Sequence, residues 1–170
     1  MTLIRPATTP DDLSAVRALC WGYREHLLGV SPIDAQITET FYPVPKYEAL
    51  MDKLDAEHAR PNGIILLAEV NGEPAACVMT HALDHQTSEI KRLYVAPFAR
   101  GHGIARKLVT ACTEQARSDG FCRTVLDTSV SLTAARRLYE SMGFSQRGPY
   151  QPIPEAVLPH LLFYEKDLTL

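Results

Sequence analysis

The chain of 170 residues is the size of one domain, and residues 1–170 read as a single unit. Apolar residues make up 46% and charged residues 22%, globular proportions that exclude general disorder. A net charge of −3 leaves no basic surplus for nucleic acid, no apolar run approaches the ~20 residues of a membrane span, and the start M-T-L-I-R-P is not a charged-then-apolar leader; the expectation is a cytoplasmic protein with neither nucleic acid nor membrane as partner.

Residues 3–7 read as a short opening strand. Thr9-Pro10-Asp11-Asp12 supplies capping chemistry for a helix running through Cys20 and beyond. Residues 29–45, rich in proline and threonine, read as irregular and as the most mobile region. Leu50, Met51 and Leu54 at helical spacing place a helix over residues 47–58. The run I-I-L-L-A-E-V makes residues 63–70 a strand, Asn71-Gly72 is a hairpin turn, and residues 74–81 return as a second strand. A further strand spans residues 89–95 and is closed by Ala96-Pro97. Ile104, Leu108, Ala111, Cys112 and Ala116 form one stripe of a helix over residues 104–117. A strand at 121–127, a helix at 133–142 ended by Gly143, and a strand at 161–168 complete the order. A strand hairpin followed by strand–helix–strand–helix–strand is an α/β chain, α+β in formal terms, with a mixed sheet and helices on both faces.

Cys20, Cys77, Cys112 and Cys122 lack C-x-x-C spacing and sit among apolar neighbours, which reads as small buried hydrophobes in a reducing compartment. His81 and His85 are the one metal-like pair. Two ligands without a third make a weak metal signal, so they read as surface residues around a turn and no metal is expected.

The chemistry-bearing stretch is E-I-K-R-L-Y-V-A-P-F-A-R-G-H-G-I-A-R-K, residues 89–107, where a strand, a short loop and a helix meet at a glycine pair. Gly101 and Gly103 lack β-carbons, so a ligand can approach the main chain closely. The helix behind them offers its free N–H groups and roughly +0.5 of an elementary charge, enough to hold phosphate without a basic surface. The spacing is not the dinucleotide G-x-G-x-x-G, whose third glycine position is Arg106 here, and the chain has no G-K-[ST]. A glycine-rich turn that merely starts a helix is the plain alternative.

Arg100-Gly101-His102-Gly103-Ile104-Ala105 fits [RQ]-x-x-G-x-[GA], and the run Ala134 to Phe144, A-A-R-R-L-Y-E-S-M-G-F, resembles A-x-x-L-Y-x-x-x-G-F. Together these motifs resemble the GNAT N-acetyltransferase superfamily, whose element order the chain follows over nearly its whole length. The resemblance implies a mostly antiparallel central sheet whose strands splay into a V. Acetyl-CoA would be the acyl donor, its pantetheine along Leu93, Tyr94 and Val95 and its pyrophosphate on the amides of Arg100, Gly101, His102, Gly103, Ile104 and Ala105. It also implies Glu89 as general base and Tyr139 as hydrogen-bonding acid to the leaving sulfur. Strand alternation then puts Glu89 on one face with Lys91, Leu93 and Val95.

The demand on a base is set by the acceptor. A lysine-like amine near pKa 10.4 is neutral in only ~1 part in 2,500 at pH 7, a cost of about 4.6 kcal/mol, against about 1 kcal/mol for an α-amine near 7.8. An ordinary carboxylate is a poor base for that task, so a raised Glu89 pKa or a water relay is expected. The plainer alternatives are a solvated Glu89 paired with Lys91 or Arg92, and a Tyr139 that is only a core aromatic beside Leu138 and Met142. Many relatives carry a pantetheine-binding asparagine seven residues before the tyrosine; Leu132 stands there, with Ser129, Ser131 and Thr133 as substitutes. No cysteine stands at a nucleophile position, which favours direct attack in a ternary complex over an acyl-enzyme. Residues 21–28, 31–45 and 148–154 are the candidate acceptor walls. The expected partners are acetyl-CoA and an amine, with a homodimer allowed. An acyl-CoA-binding sensor or partner subunit without catalysis is the rival reading, and O-acetylation or a longer acyl donor a third.

Overall fold

A computed structural model describes residues 1–170. Its elements run β1 (Thr2–Pro6), α1 (Pro10–Val30), α2 (Pro32–Phe41), α3 (Val44–Met51), α4 (Leu54–Glu57), β2 (Ile64–Val70), β3 (Glu73–Ala82), β4 (Thr87–Val95), α5 (Ile104–Ser118), β5 (Arg123–Ser129), α6 (Thr133–Ser141), β6 (Ser145–Arg147) and β7 (Leu161–Asp167). The strands form one seven-stranded sheet in the order β1-β2-β3-β4-β5-β7-β6, antiparallel at every pairing except β4–β5. No helix is long and apolar enough to cross a membrane.

The continuous apolar run of β2 follows from cover on both faces of the sheet. Ile64, Leu66 and Ala68 pack with Val78 of β3 and with Ile104, Leu108 and Val109 of α5. The alternate residues Ile65 and Leu67 pack with Cys77 and Met79 of β3, Val16 and Cys20 of α1, and Tyr47 and Met51 of α3. Three of the four cysteines are fully buried in these layers; Cys122 is half-buried.

Residues 29–45 are helical, contrary to the reading of an irregular segment. Each proline there starts a helix instead of breaking one. Ser31 caps α2 by accepting from the Asp34 N–H at 3.1 Å, Pro32 takes the first helical turn, and Pro43 and Pro45 flank the start of α3, positions where the missing N–H costs nothing. The single helix expected over 47–58 is likewise two, parted by a turn at Asp52 and Lys53. The short strand β6 after Gly143 carries no pattern long enough to read.

Two irregularities place the site. β4 and β5 pair only over Thr87↔Arg123, Ser88↔Thr124 and Glu89↔Val125, so beyond Glu89 the strands part, and this is the V. Opposite β3, Met79 faces Lys91 while Cys77 faces Tyr94: three steps of β4 run against two of β3, a bulge that holds Arg92 at φ 53°. The bulge overturns the expected alternation. Lys91 still follows Glu89, but Leu93 and Val95 fall in with Ile90 on the α5 side while Tyr94 faces α1.

Candidate active site

A cleft of ≈ 880 Å³ occupies the opening between β4 and β5. One end is the glycine loop. Gly101 and Gly103 sit at φ 83° and 72°, left-handed conformations that glycine adopts without penalty, and no atom lies within 4 Å of where a β-carbon would stand on either. The Arg100 N–H returns to Pro97 O and the Lys107 N–H to Gly103 O. Between them the amides of residues 101–106 have no acceptor in the protein, as the free first turn of α5 requires. Arg100 is anchored below the loop, its Nε donating to Val95 O at 2.9 Å with its guanidinium 5.8 Å from the Tyr94 ring centre. Arg106 instead reaches α6, donating to Ser141 Oγ at 2.6 Å.

Glu89 stands at the point of the V, the last residue of β4 paired with β5, and is 2% exposed. His81, its register partner on β3, places Nε2 2.6 Å from Glu89 Oε1. Lys91 Nζ lies 3.5 Å from the same oxygen, and the Tyr150 hydroxyl donates to Oε2 at 2.5 Å. Burial pushes the Glu89 carboxyl up, but the His81 hydrogen bond, the Lys91 charge and the Tyr150 hydrogen bond together outweigh it and hold the group below its ordinary value. The expectation of a raised Glu89 pKa is therefore corrected. The plainer alternative was right about Lys91 and wrong about solvation.

Asp127 lies two residues beyond the paired Val125, on the opposite arm of the V, and shows an open face to the cleft. Burial raises its carboxyl, against the pull of Lys91 and with the help of Glu89. Lys91, between the two carboxylates, is held above its ordinary value: burial lowers it, and Tyr42, Glu89 and Asp127 more than compensate.

Tyr139, on α6, is 6% exposed and packs 5.6 Å from the Phe144 ring and 6.0 Å from the Tyr164 ring while also lining the cleft. Burial drives its hydroxyl well above the ordinary phenol value, with smaller contributions from Tyr23, Cys112 and Asp127. It is both a core aromatic, as the plainer alternative had it, and a wall of the cleft. Leu132 lines the cleft together with Ser129, Ser131 and Thr133.

The family described as "Acetyltransferase (GNAT) family" matches residues 34–144. The chain belongs to the GNAT family. It is 30% identical over 148 residues to an IAA acetyltransferase of Azospirillum brasilense, a match covering 81% of this chain and 94% of the relative. A GNAT-family acetyltransferase of Staphylococcus aureus has the same fold at a TM-score of 0.78 and 14% identity, covering 99% of this chain and all of the other. An acetyltransferase of Salmonella typhimurium, solved with acetyl-CoA, matches at 0.67 with 21% identity over 100% and 95%. The expected family and fold therefore stand, and the chain is an N-acetyltransferase by membership.

Within this GNAT fold, the expected residues divide into two groups. Glu89, Leu93, Tyr94, Val95, Arg100, Gly101, Gly103, Ile104, Ala105 and Tyr139 all line the one cleft. His102 does not; its Nδ1 faces Ala99 O at 3.4 Å. Sequence reasoning missed Asp127, and treated His81 as a turn residue although it is the β3 partner of Glu89. Tyr150 fell inside the expected wall at 148–154, but nothing in G-P-Y-Q-P-I-P signalled a bond to a carboxylate sixty-one residues away.

Proposed function

We propose that this protein transfers the acetyl group of acetyl-CoA to an amine by direct attack in a ternary complex. The observation that carries the reading is the row of unpartnered amides at residues 101–106, a loop that, His102 apart, lines the gap where β4 and β5 part. A pyrophosphate there meets N–H donors and the positive end of α5 without strain, since no β-carbon narrows the loop at Gly101 or Gly103. Pantetheine extends along Leu93, Tyr94 and Val95, whose β5-facing edge has lost its strand partner, and an amide of that edge polarises the thioester carbonyl. Ser129, Ser131 and Thr133 stand in for the asparagine that Leu132 replaces.

The proton leaves the amine toward Glu89. A carboxylate held below its ordinary value is a weak resting place for a proton, but His81 stands directly behind it and is 30% exposed on its side chain. The imidazole bridges the buried carboxylate and the surface, so Glu89 and His81 act as a dyad that relays the proton from the cleft to solvent. Asp127, facing the cleft from the opposite arm of the V, receives the incoming ammonium. Tyr139 donates a hydrogen bond to the charge developing on the leaving sulfur; its raised pKa makes full transfer uphill. No cysteine lines the cleft, and burial pushes the Cys112 thiol up to about 12, which supports attack without an acyl-enzyme.

Residues 1–170 act as one unit in this reading, since β1 and β7 belong to the same sheet. Four unpaired cysteines support a reducing compartment such as the cytoplasm. The test is thiol release from acetyl-CoA over a panel of amines, beside calorimetry of acetyl-CoA binding. Turnover on at least one amine is expected; tight binding with no turnover on any of them would favour the sensor reading.

A further inference from the structure

The guanidinium of Arg92 is buried, opens on the cleft and has no counter-charge. Arg92 is 9% exposed and lines the cleft beside Tyr23 and Tyr47. None of the ion pairs in the chain includes it. Its side chain donates to the sulfur of Met79 at 3.7 Å, and its centre stands 6.0 Å from the Tyr47 ring centre, neither of them an anion. Arg24, equally buried on α1, shows the ordinary solution: its Nε donates to Tyr42 O at 3.0 Å and its Nη2 pairs with Glu39 at 3.3 Å. A guanidinium taken out of water without an anion is costly, and this chain adds a second cost by holding Arg92 at φ 53° in the β4 bulge. Bulky residues rarely adopt that conformation, and such outliers gather where a ligand is clamped. The bulge has a definite effect: without it, position 92 would fall on the Ile90 face, toward α5.

The charges around the cleft are therefore polarised along β4. Glu89 and Asp127 share one cation, Lys91, leaving an excess of negative charge at the point of the V. Arg92, one residue farther along, leaves an excess of positive charge. We propose that Arg92 is the docking group for a carboxylate carried by the acceptor, so that the substrates of this enzyme are amino-acid-sized amines bearing both charges. The amine lies toward Glu89 and Asp127, and the carboxylate takes the paired N–H groups of the guanidinium, a match of planar fork to planar anion. Three residues of strand span at most about 10 Å, a separation that an amino acid or a short ω-amino acid bridges once both protein side chains reach inward.

This assignment rests on the acetyltransferase reading, and the experiment separates the two. Acetyl-CoA turnover is measured for the common amino acids, β-alanine and 4-aminobutyrate, each against the matching amine without its carboxylate. The wild type should favour the carboxylate-bearing member of the best pair by roughly 10- to 100-fold in kcat/KM, the factor that charge-assisted hydrogen bonds contribute. Arg92→Met should bring that ratio toward one, chiefly through the KM of the acceptor, and Arg92→Lys should restore part of it. Calorimetry of the N-acetylated amino acid on wild type and Arg92→Met supplies a readout independent of turnover, with weaker binding to the variant expected. Equal use of the plain amines, or a variant that lowers both members of each pair alike, overturns the carboxylate site and leaves the acetyltransferase standing. Turnover on no member of either set, with acetyl-CoA bound, overturns both. Should Arg92→Met fail to fold, the wild-type ratio and the Arg92→Lys ratio decide.

Discussion

Replacing Gly103 by alanine separates two roles of one backbone position. At φ 72° the new residue pays the left-handed penalty of about 1–2 kcal/mol. For a chain of this size that lowers Tm by roughly 2–8 °C. The β-carbon itself meets no protein atom within 4 Å, so packing adds nothing to this loss. It does project from the loop whose amides 101–106 are free, where the proposed function puts the donor's pyrophosphate. Displacing the phosphate from one or two charge-assisted hydrogen bonds weakens donor binding by about 1.5–3 kcal/mol, roughly 10- to 100-fold. The control is Gly120→Ala, at φ 91° with open space around its β-carbon. Gly120 follows the far end of α5, outside the cleft, so it carries the same backbone strain without the phosphate. Thermal denaturation with calorimetry of CoA on both variants is the assay. Both should lose comparable Tm while only Gly103→Ala loses CoA affinity. Equal CoA affinity for Gly103→Ala and wild type would refute the placement of the phosphates.

Tyr139→Phe should lower kcat by about tenfold, the worth of one hydrogen bond to developing charge, with the acetyl-CoA KM changed less than twofold; steady-state thiol release checks this, and unchanged turnover removes the residue from the chemistry. Burial pushes the His58 imidazole down to about 4, and its Nε2 is buried without a partner. The unfolded chain takes up that proton near pH 6.5 while the folded one resists until about 4, so stability is complete above 6.5 and is lost as pH falls toward 4. Urea denaturation should show the advantage of wild type over His58→Gln shrinking by roughly 2.5 kcal/mol between pH 7 and 4.5; a constant difference would argue against it. Thr9 caps α1 by accepting from the Asp12 N–H at 3.1 Å, with Asp12 bonding back to the Thr9 N–H, so Thr9→Ala should cost about 1 kcal/mol, seen as a Tm lowered by roughly 2–4 °C with unchanged acetyl-CoA KM.

What was legible in the sequence was local. The glycine loop could be read because Gly101, Gly103 and the stripe of α5 signal a free helix start within a few residues. The order of strands and helices followed from periodicity, and the apolar β2 pointed to cover on both faces. The cluster around Glu89, proposed as the acid–base centre, was only half legible. Glu89 stood in a readable strand, yet its partners His81, Lys91 and Tyr150 come from β3, from β4 and from a proline-rich loop. Their competition with burial, which decides the sign of its pKa shift, is a tertiary effect. Strand alternation failed at Arg92 because a bulge inserts one residue without a glycine or proline to mark it. Proline misled in residues 29–45 for a related reason: the same residue ends one helix and begins another, and only Ser31 ahead of Pro32 distinguishes the two.

The proton path through Glu89 is tested most directly by the pH profile of kcat for wild type beside Glu89→Gln, with acetyl-CoA affinity measured on both. Glutamine keeps the shape and can still bond Tyr150 but cannot carry the proton. A fall in kcat of about 10²- to 10⁴-fold near neutral pH, with acetyl-CoA bound within twofold of wild type, is the expected result. A variant that turns over within threefold of wild type across the profile would contradict the account.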